Sequence, residues 1–383
     1  MNRFARPLIF TIAILGISAF CSAQSTELSA SAQSAKGSGA VFVMSNDAAN
    51  NQVIAYDRAA DGSLGQATPY DTKGRGSGGA TDPLESQGSL TLSQDRSLLF
   101  AVNAGSGNVS TFSVRGSHLA LLSHTPSGGS EPVAVTQFRN LVYVLNSGGP
   151  GSVVGFNLGP GGRLTQIKNS TTFLTANTTA GASLAVSPDG QFLLVTERLA
   201  NNIDAFHLNP DGTLGPIVVN ANPAPGTFSV AFAPNGKAIV SETGPANATN
   251  GSAVSSYTVD PNGDLTAVSH SVATFGAANC WDAITPDGTR VYVSNSASDS
   301  ISGFNIAKDG TLTPIGSTVV GNNPAGSTNL DIAVSADGSY VYTINSQSGN
   351  IGIFRIEQNG TLTNLGQAGD LPKSAGFNGI AAL

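Results

Sequence analysis

One four-residue mark recurs along the chain and constrains its fold more than any other feature. It reads Asp61-Gly62-Ser63-Leu64, Gly116-Ser117-His118-Leu119, Gly161-Gly162-Arg163-Leu164, Asp211-Gly212-Thr213-Leu214, Asn262-Gly263-Asp264-Leu265, Asp309-Gly310-Thr311-Leu312 and Asn359-Gly360-Thr361-Leu362. From glycine to glycine the intervals are 54, 46, 50, 51, 47 and 50 residues. A period of this size is the signature of a repeat architecture, in which no unit can bury its apolar face alone and neighbours must stack.

Each mark follows a strand with an aromatic at one position, as in "QVIAYDR", "NIDAFHL" and "SISGFNI"; the seven aromatics are Tyr56, Phe112, Phe156, Phe206, Tyr257, Phe304 and Phe354. Upstream lies a more continuous apolar run such as "LVYVLNS" or "RVYVSNS", which reads as a strand buried on both faces. Six repeats carry a further short strand before it, and four of these end in a tight turn such as Ser187-Pro188-Asp189-Gly190, where Pro presets φ and Gly tolerates a positive φ. Four short antiparallel strands in about 50 residues make a propeller blade. The first repeat lacks its innermost strand, and the C-terminal "GFNGIAAL", Gly376 to Leu383, matches the missing one. The expected fold is therefore all-β: a seven-bladed β-propeller over residues 40–383, closed by the C-terminal strand joining the N-terminal blade. The 46 glycines and the charged fraction of only 11% suit such a turn-rich chain.

Arg3 and Arg6 precede an apolar run from Pro7 to Phe20, and small residues end at Ala23. Residues 1–23 read as a secretory signal peptide and the Ser/Ala/Gly-rich residues 24–39 as a flexible leader. Bulky Phe20 argues against lipid anchoring at Cys21. Cleavage removes two arginines and no acid, so the formal net charge moves from −7 to −9, which argues against nucleic acid as a partner. It also leaves Cys280 without a disulfide partner. No further segment has the ~18 apolar residues of a membrane span, and the mature chain is expected as a monomer in the periplasm or outside the cell.

The second strand of each repeat ends in Asn46, Asn103, Asn146, Glu197, Glu242, Asn295 or Asn345. Asn at a strand exit can bond its own backbone two residues on and start a loop. Glu cannot form the same ring, so the exchange at Glu197 and Glu242, on neighbouring blades, asks for another reason. The functional reading makes them a carboxylate pair facing the central funnel, acting as acid and base or holding a divalent cation; no other cofactor is called for. The alternative pairs Glu197 with Arg198 and leaves Glu242 in water. Cys280, Trp281 and Asp282 open an innermost strand, where Trp281 would be a sugar platform or a channel plug. The histidines, at 118, 124, 207 and 270, lack metal-ligand spacing.

Three stretches, "SPDGQFLLV", "TPDGTRVYVSNSASDSISGFNIAKDGTLTPIG" and "SADGSYVYTINSQSGNIGIFRIEQNGTLT", resemble the seven-bladed lactonase-type propellers, which include 6-phosphogluconolactonase and the carboxymuconate-cyclising enzyme. The resemblance spans about residues 40–383 and implies lactone hydrolysis on the face where the innermost strands begin. The family's inner-face His falls here at Ala182, its Arg-His pair at Phe228 and Ser229, and its later Arg at Ser296, while Glu197 falls at an acidic position. Glu242 matches the next acidic position if its strand is one residue shorter. Glu197 and Glu242 are thus the catalytic candidates, with Arg198, Ser229, Trp281, Asp282 and Asn295 as ligand-binding candidates. Two functions follow as expectations: an exported lactonase-like hydrolase acting on a sugar lactone or related cyclic ester, or a non-catalytic propeller. The second would bind a glycan, peptide or envelope protein through loops such as Asp71 to Ser86.

Overall fold

The computed structural model describes residues 39–175, 180–246 and 248–383. The expected signal peptide and almost all of the expected leader lie outside these residues; the first strand begins at Gly39. Seven antiparallel sheets follow one another along the chain, each with four strands, the outermost being split in two in blades 3 and 6. In blade 4 the order from the axis outward is Gly181–Val186, Phe192–Glu197, Asn202–Leu208 and Leu214–Ala221. The second strand is buried along its whole length, whereas the outermost alternates between half-buried and exposed residues. That gradient is what continuous and alternating apolar patterns dictate. All seven aromatics of the third strands are buried.

The recurring mark turns out to be a latch between blades. Tyr143, in the second strand of blade 3, donates its hydroxyl to the carbonyl of Gly212 in the mark of blade 4 at 2.9 Å. Tyr292 does the same to Gly360 at 2.8 Å, and Tyr342 to Gly62 at 3.0 Å. Gly62 takes φ +89°, and a Cβ there would meet the ring of Tyr340, so only glycine suits the contact. Burial pushes Tyr143 and Tyr292 up to about 12, so both hydroxyls stay protonated donors.

The Tyr342 latch joins blade 7 to blade 1, and the C-terminal segment completes the ring. Ile380–Ala382 pairs antiparallel with Gly39–Met44 and becomes the innermost strand of blade 1. Buried Arg58 reinforces the junction through a 2.8 Å ion pair to Asp337 and a 3.2 Å bond to the carbonyl of Leu383. The expected architecture and closure are the observed ones.

Candidate functional site

The second strands end, and the innermost strands begin, on one face, called here the upper face: Glu197 lies opposite Gly181, and Asn295 opposite Asn279. The strand-end residues do not use the local turn expected of Asn. Asn103 donates to Asn108 (2.7 Å) and Ser110 (2.9 Å) on its own third strand and accepts from Thr72 (2.6 Å), which follows the outermost strand of blade 1. Asn295 repeats the pattern with Ser300 and Ser302. Asn103, and likewise Asn345 through Asn323, thereby tie their blades to the exit of the one before.

Glu197 occupies the same junction. It is fully buried, its Oε1 accepts the Thr175 amide at 2.8 Å and its Oε2 accepts the Thr175 hydroxyl at 2.5 Å. Beside it, at the register position of Ser110 and Ser302, stands Asp204, also fully buried. Desolvation first, and then the Glu197 carboxylate, push Asp204 up to about 9. Glu242 sits in the next seam, 1% exposed, accepting from Ser255 at 2.5 Å. The two glutamates therefore occupy separate seams rather than one funnel-facing pair. Glu197 neither pairs with Arg198 nor is Glu242 immersed in water.

The centre of the upper face is organised by the long connection between blades 1 and 2. Residues 82–89 of that connection cross the axis. Ser86 donates to the carbonyl of Val133 in blade 3, and the Gln87 amide to that of Ala182 in blade 4. The Gln87 side chain clamps the backbone of Asp282 in blade 6 at 2.6 and 3.1 Å, and Ser89 binds Asn378 beside the closing strand. Trp281 is buried, donates its indole N–H to the carbonyl of Ser86 at 2.9 Å and meets the Phe228 ring edge-on at 5.2 Å. It fills the channel under the crossing segment; no ring face is presented to a sugar. Ser229 lies buried below, its hydroxyl on Asp282 at 2.9 Å. Burial raises Asp282 and Asp331 to about 7. Asp331 accepts the amides of Ile332 (2.9 Å) and Ile380 (3.1 Å), holding the closing strand to blade 7.

Above the segment, a polar group stays within reach of solvent. Arg198 pairs with Glu85, and Asn378 donates to Asp82 at 2.9 Å. Asp82 is half-buried. Desolvation and the neighbouring Glu85 charge push its carboxyl up to about 7, against the pull of the Glu85 amide and of Arg198. Of the sequence candidates, Arg198, Ser229, Trp281 and Asp282 gather around the axis, while Glu197, Glu242 and Asn295 lie in the seams. Asp82, Glu85, Gln87, Asp331 and Asn378 were missed. Asp331 could have been found, because it stands two residues after the Asn that opens its strand, where Trp281 stands in blade 6. The four histidines are all exposed. No group of three or more His, Cys, Asp or Glu residues suited to a metal occurs among the described residues.

Fold and site together define a seven-bladed propeller whose channel is plugged and whose upper mouth presents a cation beside a near-neutral carboxyl. The chain belongs to the family described as Lactonase, 7-bladed beta-propeller, which it matches over residues 140–281 and 263–375. Its fold is similar to that of the Pseudomonas aeruginosa periplasmic gluconolactonase (18% identity, 89% of this chain and 98% of that one, TM-score 0.67). It is also similar to candidate 6-phosphogluconolactonases of Bacteroides fragilis (19%, 90% and 99%, TM-score 0.66) and Bacteroides uniformis (18%, 90% and 99%, TM-score 0.65). No curated protein matches the chain.

Proposed function

We propose that the chain is an exported lactonase that opens a sugar lactone or related cyclic ester at the mouth of the central channel. The reading rests on one observation: Glu85 links the two groups at the upper face, its side chain pairing with Arg198 and its amide donating to Asp82 at 3.1 Å. Membership of the lactonase family supports the reaction class. The His and Arg positions of the resemblance hold Ala182, Phe228 and Ser229, all buried, and Ser296, so base and cation must come from elsewhere.

In this mechanism the Asp82 carboxylate takes a proton from water as the water oxygen attacks the lactone carbonyl carbon. Arg198, exchanging Glu85 for substrate, stabilises the oxyanion that forms. Collapse breaks the ring C–O bond, and the protonated Asp82 returns its proton to the departing alkoxide, leaving a hydroxy acid. Glu197 acts one residue behind: fixed by Thr175, it holds the strand end from which Arg198 projects. A carboxyl near 7 is suited to both proton transfers, since base strength and availability are balanced near its pKa.

The test is turnover of a panel of sugar lactones and simple cyclic esters by the purified chain. Asp82→Asn and Arg198→Met should each lower kcat/KM by at least ~100-fold, the scale of a lost base or oxyanion donor. Glu197→Gln should cost under tenfold. Full activity in the Asp82 variant, or turnover of none of the panel by the unaltered chain, refutes the proposal; the latter outcome favours ligand binding by the upper-face loops.

A further inference from the structure

We propose that the seam between blades 4 and 5 holds a second ligand site, built on Glu242, which takes a small organic ammonium ion. Glu242 ends the strand Ala238–Glu242 and is 1% exposed. Its Oε1 is held by Ser255, but its buried Oε2 meets no hydrogen-bond donor, and no Lys or Arg forms an ion pair with it among the described residues. A carboxylate taken out of water is strongly disfavoured unless a counter-charge meets it.

A second polar atom is aimed at the same place by a backbone irregularity. The ladder between Ala253–Val259 and Leu265–Ala273 shifts register between Val254 and Ser256. Ser271, inside that bulge, takes φ +45°, a left-handed conformation that a non-glycine residue adopts at a cost. Bulges re-aim side chains, often beside sites. Here the Ser271 amide donates to Ser255 at 2.8 Å, while the Ser271 hydroxyl is buried with no partner.

Both orphaned groups line one cavity of about 300 Å³, with Ala224, Pro225, Ala253 and Ala273 as small apolar walls and exposed Asn250 and Gly251 at its rim. The arrangement offers one charge, one hydroxyl and room for a few methylenes, which fits an alkylammonium head and short chain. Two side-chain oxygens fall short of the roughly six to eight oxygen ligands Ca²⁺ takes. Buried atoms of Asn146, Asp204 and Asn295 in other seams also lack partners, but the Glu242 seam sets a second orphaned oxygen, that of Ser271, in the lining of the same cavity. The site is separate from the channel mouth and does not depend on the lactonase reading.

The experiment is calorimetric titration of the folded chain with ethanolamine, alongside ethylene glycol as the uncharged counterpart and CaCl₂. Ethanolamine should bind, Glu242→Gln should weaken it at least tenfold and Ser271→Ala by a few fold, and ethylene glycol should give no heat. The Ser271 variant leaves the carboxylate and its Ser255 contact in place, so it reports even where Glu242→Gln fails to fold. Unchanged ethanolamine affinity in either variant, equal binding of ethylene glycol, displacement by Ca²⁺ at equal concentration, or no ethanolamine binding at all overturns the proposal.

Discussion

Asp204 should destabilise the chain at neutral pH, and Asp204→Asn should relieve it. In the folded protein this fully buried carboxyl titrates near 9, against an ordinary value of 3.8, chiefly because it is desolvated and next because Glu197 lies beside it. Between those values the folded state keeps a proton that the unfolded chain has released, so stability falls as pH rises, by about 1.4 kcal/mol per pH unit. From pH 4 to pH 7 the loss sums to about 4 kcal/mol, and it ceases only above the folded value. Asn mimics the protonated acid and carries no such dependence. The amide also suits the site, since the same register position is Ser110 in blade 2 and Ser302 in blade 6, each bonded to the strand-end Asn. Guanidinium unfolding of both proteins from pH 4 to pH 9 is the assay. The variant should match the parent near pH 4 and exceed it by up to about 4 kcal/mol at pH 7. Every other titrating group is common to the two proteins, so a difference that stays constant across this range would refute a proton held at Asp204.

Lactone turnover limited by Asp82 should rise with pH and level off above about 7, because the base must be ionised; a pH–rate profile without an inflection there excludes Asp82 as the base. Tyr342→Phe leaves the Gly62 carbonyl without its 3.0 Å donor at ring closure, and should lower stability by about 1–3 kcal/mol, the cost of an unmet buried polar group, seen as a lower denaturation midpoint. Trp281→Ala empties the plugged channel and strands the carbonyl of Ser86; a loss of about 3–5 kcal/mol is expected from cavity formation, measured the same way. Arg96 sits exposed at φ +59° in a turn whose counterparts carry Gly190, Gly288 and Gly338 at φ +70° to +75°. Arg96→Gly should therefore raise the melting temperature, by an amount equivalent to about 1 kcal/mol.

The fold was legible because every blade repeats one solution. Strand periods, the aromatic of the third strand and the glycine of the mark recur seven times, so an irregular blade could be read from its neighbours, and the missing first strand could be recognised in residues 376–383. The latch was legible only in part: the sequence displays Tyr143, Tyr292 and Tyr342 at one position and the glycines at another, but not that the first donate to the second across a seam.

The site resisted for a physical reason that lies in the innermost strands. In blades 3 to 7 each of them shifts register near its start, as between Gly181 and Ser183 or between Asn279 and Trp281. One added residue exchanges the two faces of a strand, so alternation cannot say which side chains meet the axis just where the upper face begins. Glu197 stands out in the sequence as a break in repeat symmetry, yet its surroundings are set by Thr175 and Asp204, contributed by another blade and another strand. Asp82 and Glu85 lie in a connection with no counterpart in any other repeat, where periodicity has nothing to compare. Their importance follows from a contact made through the chain's single tryptophan: Trp281 binds Ser86, which pins the connection across the channel and carries both carboxyls to the mouth that Arg198 overlooks. The same repeat that makes the architecture readable thus conceals the chemistry, because the groups with unusual protonation are those for which the repeat offers no second example.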